Sequence, residues 1–214
     1  MTTSRNARTD GDITRARILE AAGELFAAHG FADTQNKMIA AHAQVDMASI
    51  NYHFGSRKGL YQAVLVTAHH HLLNSEELLA LAEGHSSPEQ KLQWLFKNAI
   101  ASARHKDEWY IKVLSREIFA PSQHLQAVIS GDIAPKLLAV RGIMSELTHL
   151  PVDHPAIDRC LLSVMAPCIL MLASGSISAG PMNNVLATQE DELVEHMMTF
   201  AIAGLKGISQ KETA

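Results

Sequence analysis

The side chains best suited to recognising another molecule are concentrated in one stretch, TQNKMIAAHAQVDMASINYHFGSRK, at residues 34–58. Asn51 carries an amide that can pair with adenine through two hydrogen bonds, and Tyr52 carries a hydroxyl that can reach a phosphate. Ala48 and Ser49 are small enough to permit close approach to a partner. On a helix, these four residues fall on the sides that face away from an apolar core. The pattern predicts a helix whose outer surface suits the major groove of DNA.

Local signals predict the elements that present these side chains. Thr34 is expected to cap a short helix that runs to about Ala43, and Gln44-Val45 leaves room only for a turn. Asp46 can cap a second helix, because its carboxylate accepts hydrogen bonds from the free N–H groups of the first turn. Val45 and Ile50 flank this cap with the spacing of a hydrophobic staple. Together these features predict a helix-turn-helix whose second helix lies in the major groove.

A third helix is expected to begin after Gly55, with Ser56 as its cap and Arg57 and Lys58 in its first turn. Cations are unfavourable at a helix N-terminus, so their presence favours a site that holds an anion such as a phosphate. The alternative is that both cations are merely solvated and that residues 52–54 form a corner of the core. The residues predicted to contact DNA are Thr34, Gln35, Asn36, Lys37, Ala48, Ser49, Asn51, Tyr52, His53 and Lys58.

Residues 14–64 resemble the DNA-binding domain of the tetracycline-repressor (TetR) family of bacterial regulators. The matching pieces are TRARILEAAGELF, HGFADT, MIAAHAQV and INYHFGSRKGLY. Two positions depart from the usual turn of that family, Ala-Gly-Val-Ser. Gln44 stands in place of the glycine, where a left-handed backbone angle is less comfortable. Asp46 stands in place of the serine; it keeps the capping role but brings a negative charge near the DNA.

Charge and composition narrow the kinds of partner and cellular compartment to expect. The chain has a net charge of −4, yet residues 1–60 hold seven Lys or Arg against six Asp or Glu, so the remainder carries the negative excess. That asymmetry suits sequence-specific DNA binding with few phosphate contacts. Two cysteines and a polar N-terminus without a signal peptide indicate a reducing cytoplasm. No apolar run is expected to reach membrane-spanning length.

The whole chain reads as helical, which predicts an all-α fold with three parts. Residues 1–12 are expected to be a disordered N-terminal arm, residues 13–60 the three-helix DNA-binding domain, and residues 61–214 a larger helical domain for ligand binding and dimerisation. The first helix is expected at about 13–28, and it reaches DNA only at its start, through Thr14 or Arg15. Further helices are expected at about 56–82, 88–105, 107–119, 122–150 with an interruption at 130–132, 156–173 and 187–206, with a loop over 175–181.

The second domain is expected to make a dimer. One helix-turn-helix reads few base pairs, so such domains usually act in pairs on half-sites about 34–36 Å apart. The resemblance implies that the last two helices form a four-helix interface with their mates. The residues assigned to it are Cys160, Val164, Cys168, Leu193, Met197, Phe200, Ala201 and Gly204. The alternative is that these stripes pack into the core of their own chain.

The resemblance also implies a pocket among the middle helices whose occupant moves the two DNA-binding domains out of register. The side chains available for it are Trp94, Asn98, Trp109, Tyr110, Phe119 and Met165. The chain is therefore expected to be a ligand-responsive homodimer, a repressor, that binds a palindromic operator and an unidentified small-molecule effector. The alternative is a helical module that binds small molecules or proteins and whose N-terminal domain does not read DNA.

Other chemistry finds little support. The consecutive residues His69, His70 and His71 point about 100° apart on a helix and cannot converge on one metal ion, so a solvated stretch is expected there. Cys160 and Cys168 are separated by roughly 12 Å on one helix, beyond the reach of a disulfide. No Ser/His/Asp grouping lies in a catalytic motif. We expect no enzyme activity, no cofactor and no metal site.

Overall fold

The computed structural model describes residues 3–105, 108–173 and 181–213, and no strand occurs in these ranges. Its elements, in chain order, are α1 (Thr3–Asp33), α2 (Asn36–Ala43), α3 (Met47–Phe54), α4 (Arg57–Leu72), α5 (Ser75–Glu83), α6 (Pro88–Arg104), α7 (Trp109–Phe119), α8 (Leu125–Val128), a π-helical turn (Ile129–Ile133), α9 (Ala134–Thr148), α10 (Pro155–Ala173), α11 (Pro181–Ala187) and α12 (Glu190–Thr213). The predicted all-α class is confirmed. We call α1–α4 the head and the elements from α5 onward the body.

Residues 3–12, for which a disordered arm is predicted, are part of α1 in this structure. This segment contains no proline, and its one glycine, Gly11, costs only about 1 kcal/mol in a helix. Polar residues need no packing partner to continue a helix that the apolar positions further along have already nucleated. Near its other end the helix is kinked at Gly30, where φ is 80°. Glycine tolerates this positive φ without steric cost.

The predicted long helix over 56–82 is wrong in its second half. It is two helices, α4 and α5, separated at Leu73 and Asn74. The Asn74 side chain accepts hydrogen bonds from the backbone N–H groups of Glu76 (2.9 Å) and Glu77 (3.3 Å), and so caps α5. The apolar periodicity runs through this break without a visible change, whereas the cap depends on one side chain.

Boundaries elsewhere follow the sequence more closely. The helices expected at 88–105 and 156–173 are found as α6 and α10 to within one residue. The helix expected from Asp107 begins at Trp109 in the described residues. The interruption expected at 130–132 is a π-helical turn that joins α8 to α9, so the chain bends without breaking its helical path. The short helix α11 was not expected, and the loop predicted over 175–181 lies outside the described residues apart from Pro181.

Two apolar cores form, and α7 contributes to both. The head core contains Ile18, Phe26, Ile39, Ile50 and Leu60 together with side chains from α7. The body core gathers side chains from α5, α6, α7, α9, α10 and α12. Each amphipathic helix thus buries its apolar stripe against neighbours, which is the main source of stability in such a fold.

The contact between α1 and α7 is close-packed around a glycine. Trp109 of α7 lies flat against Gly23 of α1, so closely that a Cβ placed at Gly23 would lie 2.5 Å from Trp109 Cε3. The indole N–H donates to Glu20 Oε1 at 2.8 Å, which fixes the ring. The small size of residue 23 is therefore what allows the body to dock on the head here.

Replacing Gly23 by alanine should destabilise the fold. The added methyl group overlaps the Trp109 ring, and overpacking of this kind costs about 1–3 kcal/mol. Urea unfolding monitored by circular dichroism would measure the change. The matched control is Gly142→Ala in α9, where a Cβ meets nothing within 4 Å. The control should be neutral or gain up to about 1 kcal/mol in helix propensity; equal stability of the two variants would contradict the packing at Gly23.

Candidate nucleic-acid interface

The predicted capping of α3 is confirmed. Asp46 is its N-cap, and the carboxylate accepts from the backbone N–H of Ser49 at 2.6 Å. Ile50 is fully buried and Val45 packs beside the same core, as the hydrophobic staple requires. At the far end, Gly55 takes a positive φ of 71° and closes the helix. The helix is thus held at both ends and anchored along one side.

The turn before α3 adopts the left-handed conformation that the departure at Gln44 makes costly. Gln44 has φ 53° and ψ 48°. Arg17 of α1 supports this turn from outside, because its guanidinium donates to the carbonyl of Ala43 at 2.6 Å and to that of Gln44 at 3.4 Å. Sequence reasoning missed this role, since nothing in the local sequence marks Arg17 as a partner of residues 26 and 27 positions away.

The outer side of α3 is exposed. Tyr52 is 85% exposed, which is unusual for a large aromatic side chain in a helix of a globular protein. Ala48 and Asn51 are also exposed, and Ser49 and His53 are half-buried beside them. The Tyr52 and His53 rings meet edge to face with centroids 5.0 Å apart. The structure therefore presents this part of the predicted DNA-contacting set on one helix.

The neighbouring elements add further exposed groups. Gln35 and Lys37 at the start of α2 and Lys58 at the start of α4 are exposed, whereas Asn36 is half-buried. Ser56 caps α4 by accepting from the N–H of Gly59 at 3.0 Å, as predicted. These positions stay predictions as DNA contacts.

The role predicted for Thr34 has to be corrected. This residue is not the cap of α2, which is Gln35 and which makes no side-chain cap hydrogen bond. Thr34 is completely buried, and its hydroxyl donates to the carbonyls of Gly30 (2.8 Å) and Leu25 (3.2 Å). The free carbonyls at the kinked end of α1 take up this hydroxyl, so its side chain faces away from any partner.

The role predicted for Arg57 also has to be corrected, because its side chain does not point outward as a phosphate ligand would. Its guanidinium lies 4.3 Å from the centroid of the Phe31 ring and donates to the carbonyls of Phe31 and Ala32. The cation thus sits at the C-terminal end of α1, where the helix dipole is favourable. Lys58 remains as the exposed cation at the start of α4.

The side chains predicted to line a pocket are divided between the two cores and the surface. Trp109 belongs to the head core, and the Tyr110 ring stacks on His71 with centroids 4.8 Å apart. Phe119 is 61% exposed, and Trp94, Asn98 and Met165 are half-buried. The pocket was implied by the family resemblance and not by the spacing of these residues, and they lie on three different helices, α6, α7 and α10. Of the six, Trp94, Tyr110 and Met165 pack against the body core, and the pocket predicted from the whole set stays a prediction.

A cavity of about 750 Å³ does open between α10 and α12, and none of those six residues lines it. All of the predicted interface residues except Cys168 line this cavity, but most are not on the surface. Those that are buried in the core of their own chain are Cys160, Val164, Cys168, Leu193, Met197 and Ala201. Phe200, which is 77% exposed, and Gly204 face outward. The apolar stripes therefore point mainly inward, and the exposed apolar surface comes from their neighbours, Leu162, Ile169 and Leu170.

The packing of α10 determines how reactive its two cysteines are. Both thiols are free and buried, and burial raises the pKa of Cys160 and raises that of Cys168 to about 12. Such thiols are poor nucleophiles near neutral pH.

By length and composition alone α10 is a candidate membrane span, contrary to the expectation that no apolar run reaches that length. Eight of its 19 residues are buried inside the chain.

The histidine run on α4 is not uniformly solvated. His69 is enclosed, and its Nδ1 is buried without a hydrogen-bond partner among the described residues. Burial lowers the pKa of His69 to about 4, and the nearby charge of Lys136 adds to the effect. Lys136 itself donates to the carbonyls of His69 (3.2 Å) and Leu73 (2.5 Å) at the end of α4. No group of three or more His, Cys, Asp or Glu in the described parts of the chain is arranged to hold a metal.

Comparison with known proteins decides the family. The model described as "Bacterial regulatory proteins, tetR family" matches residues 18–64. The model described as "HTH-type transcriptional dual regulator CecR, C-terminal domain" matches residues 88–205, more than half of the chain. The chain belongs to the TetR family of bacterial transcriptional regulators. The resemblance drawn from residues 14–64 is confirmed.

Individual relatives agree with this assignment. The TetR-family chain is 34% identical over 61 residues to the HTH-type transcriptional regulator UidR of Escherichia coli K12, a match that covers 28% of the chain and 31% of UidR. It is 29% identical over 148 residues to YttP of Bacillus subtilis, described as a probable HTH-type transcriptional regulator, covering 66% of the chain and 70% of YttP. The curated match to UidR thus spans about a third of that relative.

The fold is shared with solved regulators. The crystal structure of FadR from Bacillus subtilis in complex with stearoyl-CoA aligns with a TM-score of 0.66 at 15% identity, over 88% of this chain and 98% of FadR. At that identity the likeness shows the fold alone. The TetR-family chain therefore shares its overall fold with FadR.

The stability of the head–body junction should depend on pH through His69. The unfolded imidazole has a pKa of 6.5 and the folded one about 4, so the unfolded chain takes up a proton that the folded chain refuses. The contribution of His69 to the free energy of unfolding is then fully present above about pH 6.5 and is lost as the pH drops towards about 4. Urea unfolding at stepped pH should show this loss, and His69→Leu should flatten it. The exposed neighbour supplies the control: His70→Gln should leave the slope unchanged, and an unchanged slope in His69→Leu would refute the assignment.

Proposed function

We propose that this TetR-family regulator binds a palindromic DNA operator as a homodimer, represses transcription there, and is released by a small-molecule effector. The observation that carries the proposal is the outer side of α3. A capped, anchored helix holds the 85% exposed Tyr52 beside Asn51 and Ser49, where burial would be the normal fate of an aromatic ring. Side chains of these types recognise base edges and phosphates.

The charge distribution supports sequence-specific binding over non-specific binding. The exposed cations near α3 are few, with Lys37 on α2 and Lys58 on α4 among them, and Arg15 lies over the Phe54 ring at 5.1 Å. A few phosphate contacts position a reading helix, whereas an unspecific DNA-coating protein needs many. The regulator would work in the bacterial cytoplasm, where its operator is.

The groove between α10 and α12 supports a homodimer. Both helices pack on α6 and α9 of the body, and they contact each other at few positions. Exposed Leu170 and Phe200 line the resulting cavity, with Leu162 and Ile169 exposed beside it on α10. A contiguous apolar surface of this kind marks an interaction site, and a second copy supplies two further apolar helices to fill it. The heads would then present two α3 helices about 34–36 Å apart.

The effector belongs to the same proposal. FadR of Bacillus subtilis was solved with stearoyl-CoA, so long-chain acyl-CoA thioesters are the first class to screen. The six residues predicted from the sequence do not line the cavity between α10 and α12, so the screen starts from binding and not from a mapped site. The alternative function is a helical module that binds small molecules or proteins and whose head does not read DNA; exposed Asp46 on α3 favours it.

Selection of bound duplexes from a random pool separates the two functions, and variants test the interface. Lys58→Ala should weaken binding to all sequences and lower the salt dependence by about one unit of slope, because a phosphate contact is lost. Asn51→Ala should instead change base preference at one position of each half-site. Fluorescence anisotropy at several salt concentrations would measure both. Lys97→Ala, on the body, is the matched control and should change neither; failure to enrich any palindrome would favour the alternative.

The homodimer has its own test. Phe200→Asp should convert the protein to a monomer, because a charge is placed in the apolar groove while the 77% exposed side chain contributes little to the fold of its own chain. Sedimentation velocity would report the mass. Leu138→Asp on α9 alters a side chain that is 62% exposed but does not line the groove. This control should remain dimeric, and a dimeric Phe200→Asp would place the interface elsewhere.

A further inference from the structure

Asp46 and Ser49 at the start of α3 are joined by two hydrogen bonds to one oxygen. Asp46 Oδ1 accepts from the backbone N–H of Ser49 at 2.6 Å and from the Ser49 hydroxyl at 2.8 Å. The first bond is the helix cap. The second is additional, since a cap needs only the backbone donor. Asp46 is exposed and Ser49 half-exposed, so the pair is part of the outer surface of α3.

The second bond fixes the chemistry that Ser49 offers to a partner. A serine hydroxyl has one hydrogen to donate and two lone pairs that accept, so a free serine reads donors and acceptors alike. Here the hydrogen is taken by a carboxylate, and a hydrogen bond to an ionised acceptor is about twice as strong as one between neutral groups. Ser49 Oγ is left with lone pairs only. The same bonds hold the pKa of Asp46 below its ordinary value, so the carboxylate is ionised and also only accepts.

Base edges in the major groove differ in how they meet such a surface. Guanine presents two acceptors, N7 and O6, and thymine presents the acceptor O4 and a methyl group. Adenine presents its N6 amino donor beside the acceptor N7. Cytosine presents the N4 amino donor alone, and acidic side chains in known complexes accept from that group. Two acceptor groups side by side therefore match cytosine best and are repelled by guanine.

We propose that Asp46 and Ser49 act together as an acceptor-only pair that reads the N4 amino group of one cytosine in each half-site. This rests on the proposed DNA-binding function of α3. The N-terminal residues of a recognition helix are those that contact base edges, which is where both residues lie. A phosphate is excluded as the partner of Asp46, because two anions repel. The departure at Asp46 from the serine of the usual TetR turn is then a specificity determinant.

The test compares base preference in isosteric variants, starting with selection of bound duplexes from a random pool by the full-length protein. Asp46→Asn keeps the cap, because the amide oxygen still accepts from the Ser49 N–H, but its NH₂ group donates. Cytosine preference at one position should fall by about tenfold and guanine should be tolerated there. Affinity for unrelated DNA should rise, because a negative charge is removed. Ser49→Ala should lower the same cytosine preference and leave affinity for unrelated DNA unchanged.

Ser49→Thr is the matched control, because it retains a hydroxyl that can bond to Asp46, and it should keep the wild-type preference. If the wild-type protein enriches no sequence, the proposed function fails. If it enriches an operator but no position responds to both Asp46→Asn and Ser49→Ala, only this inference fails. Enrichment of adenine, guanine or thymine at the responsive position overturns the assignment to cytosine. Circular dichroism of each variant confirms that α3 is still formed.

Discussion

The carbonyl oxygens at the C-terminal end of α1 need hydrogen-bond partners, and the partners that they find hold the head to the body. Arg116 of α7 reaches across to the carbonyls of Ala27 (3.0 Å) and Ala28 (2.9 Å), while Arg57 of α4 covers the carbonyls further along. The Thr34 hydroxyl donates to the carbonyls of Gly30 and Leu25. Without these donors the last turn of α1 would leave polar groups without partners at the junction, at a cost comparable to lost hydrogen bonds. The end of α1 is therefore shared by α7 of the body, by α4 of the head and by Thr34 in the link that follows α1.

The same helix α7 is also joined to α4 by a buried hydrogen bond between Glu117 and Tyr61. Glu117, almost fully buried, accepts from the Tyr61 hydroxyl at 2.6 Å and from the N–H of Ser122 at 2.8 Å. Burial and the adjacent carboxylate raise the pKa of Tyr61, so the hydroxyl stays a donor. At the other end of α4, Lys136 caps its last carbonyls from α9. The helix that continues from the DNA-binding part is thus tied to the body at both of its ends by groups that would be costly to leave unpaired.

The contrast between what the sequence could and could not predict follows from the range of the interactions. The cap by Asp46, the staple of Val45 and Ile50 and the cap by Ser56 involve residues a few positions apart, and all three were predicted correctly. The roles of Thr34 and Arg57 depend on where the end of α1 lies, so local patterns assigned them outward when both turn inward. The stripe of Cys160, Val164 and Cys168 was recognised as apolar, but periodicity states only that a helix has an apolar side. It does not say whether that side meets its own chain or a partner. Here the predicted stripe is buried in its own chain, and the exposed apolar residues of α10 are Leu162, Ile169 and Leu170, on the adjacent side of the helix.

The position of α7 limits how the head of a TetR-family chain such as this one can move. Trp109 packs on Gly23 and Val113 and Leu114 lie in the head core, whereas Ile111 on the same helix lies in the body core. A close-packed interior does not deform continuously, so α7 cannot stay with both cores if the two parts rotate relative to each other. Either α7 shifts with the head and opens a gap in the body, or it stays and uncovers Trp109 and the α1 carbonyls. A change in the body that repacks Ile111 would therefore also disturb the contacts that α7 makes with the head through Trp109, Arg116 and Glu117.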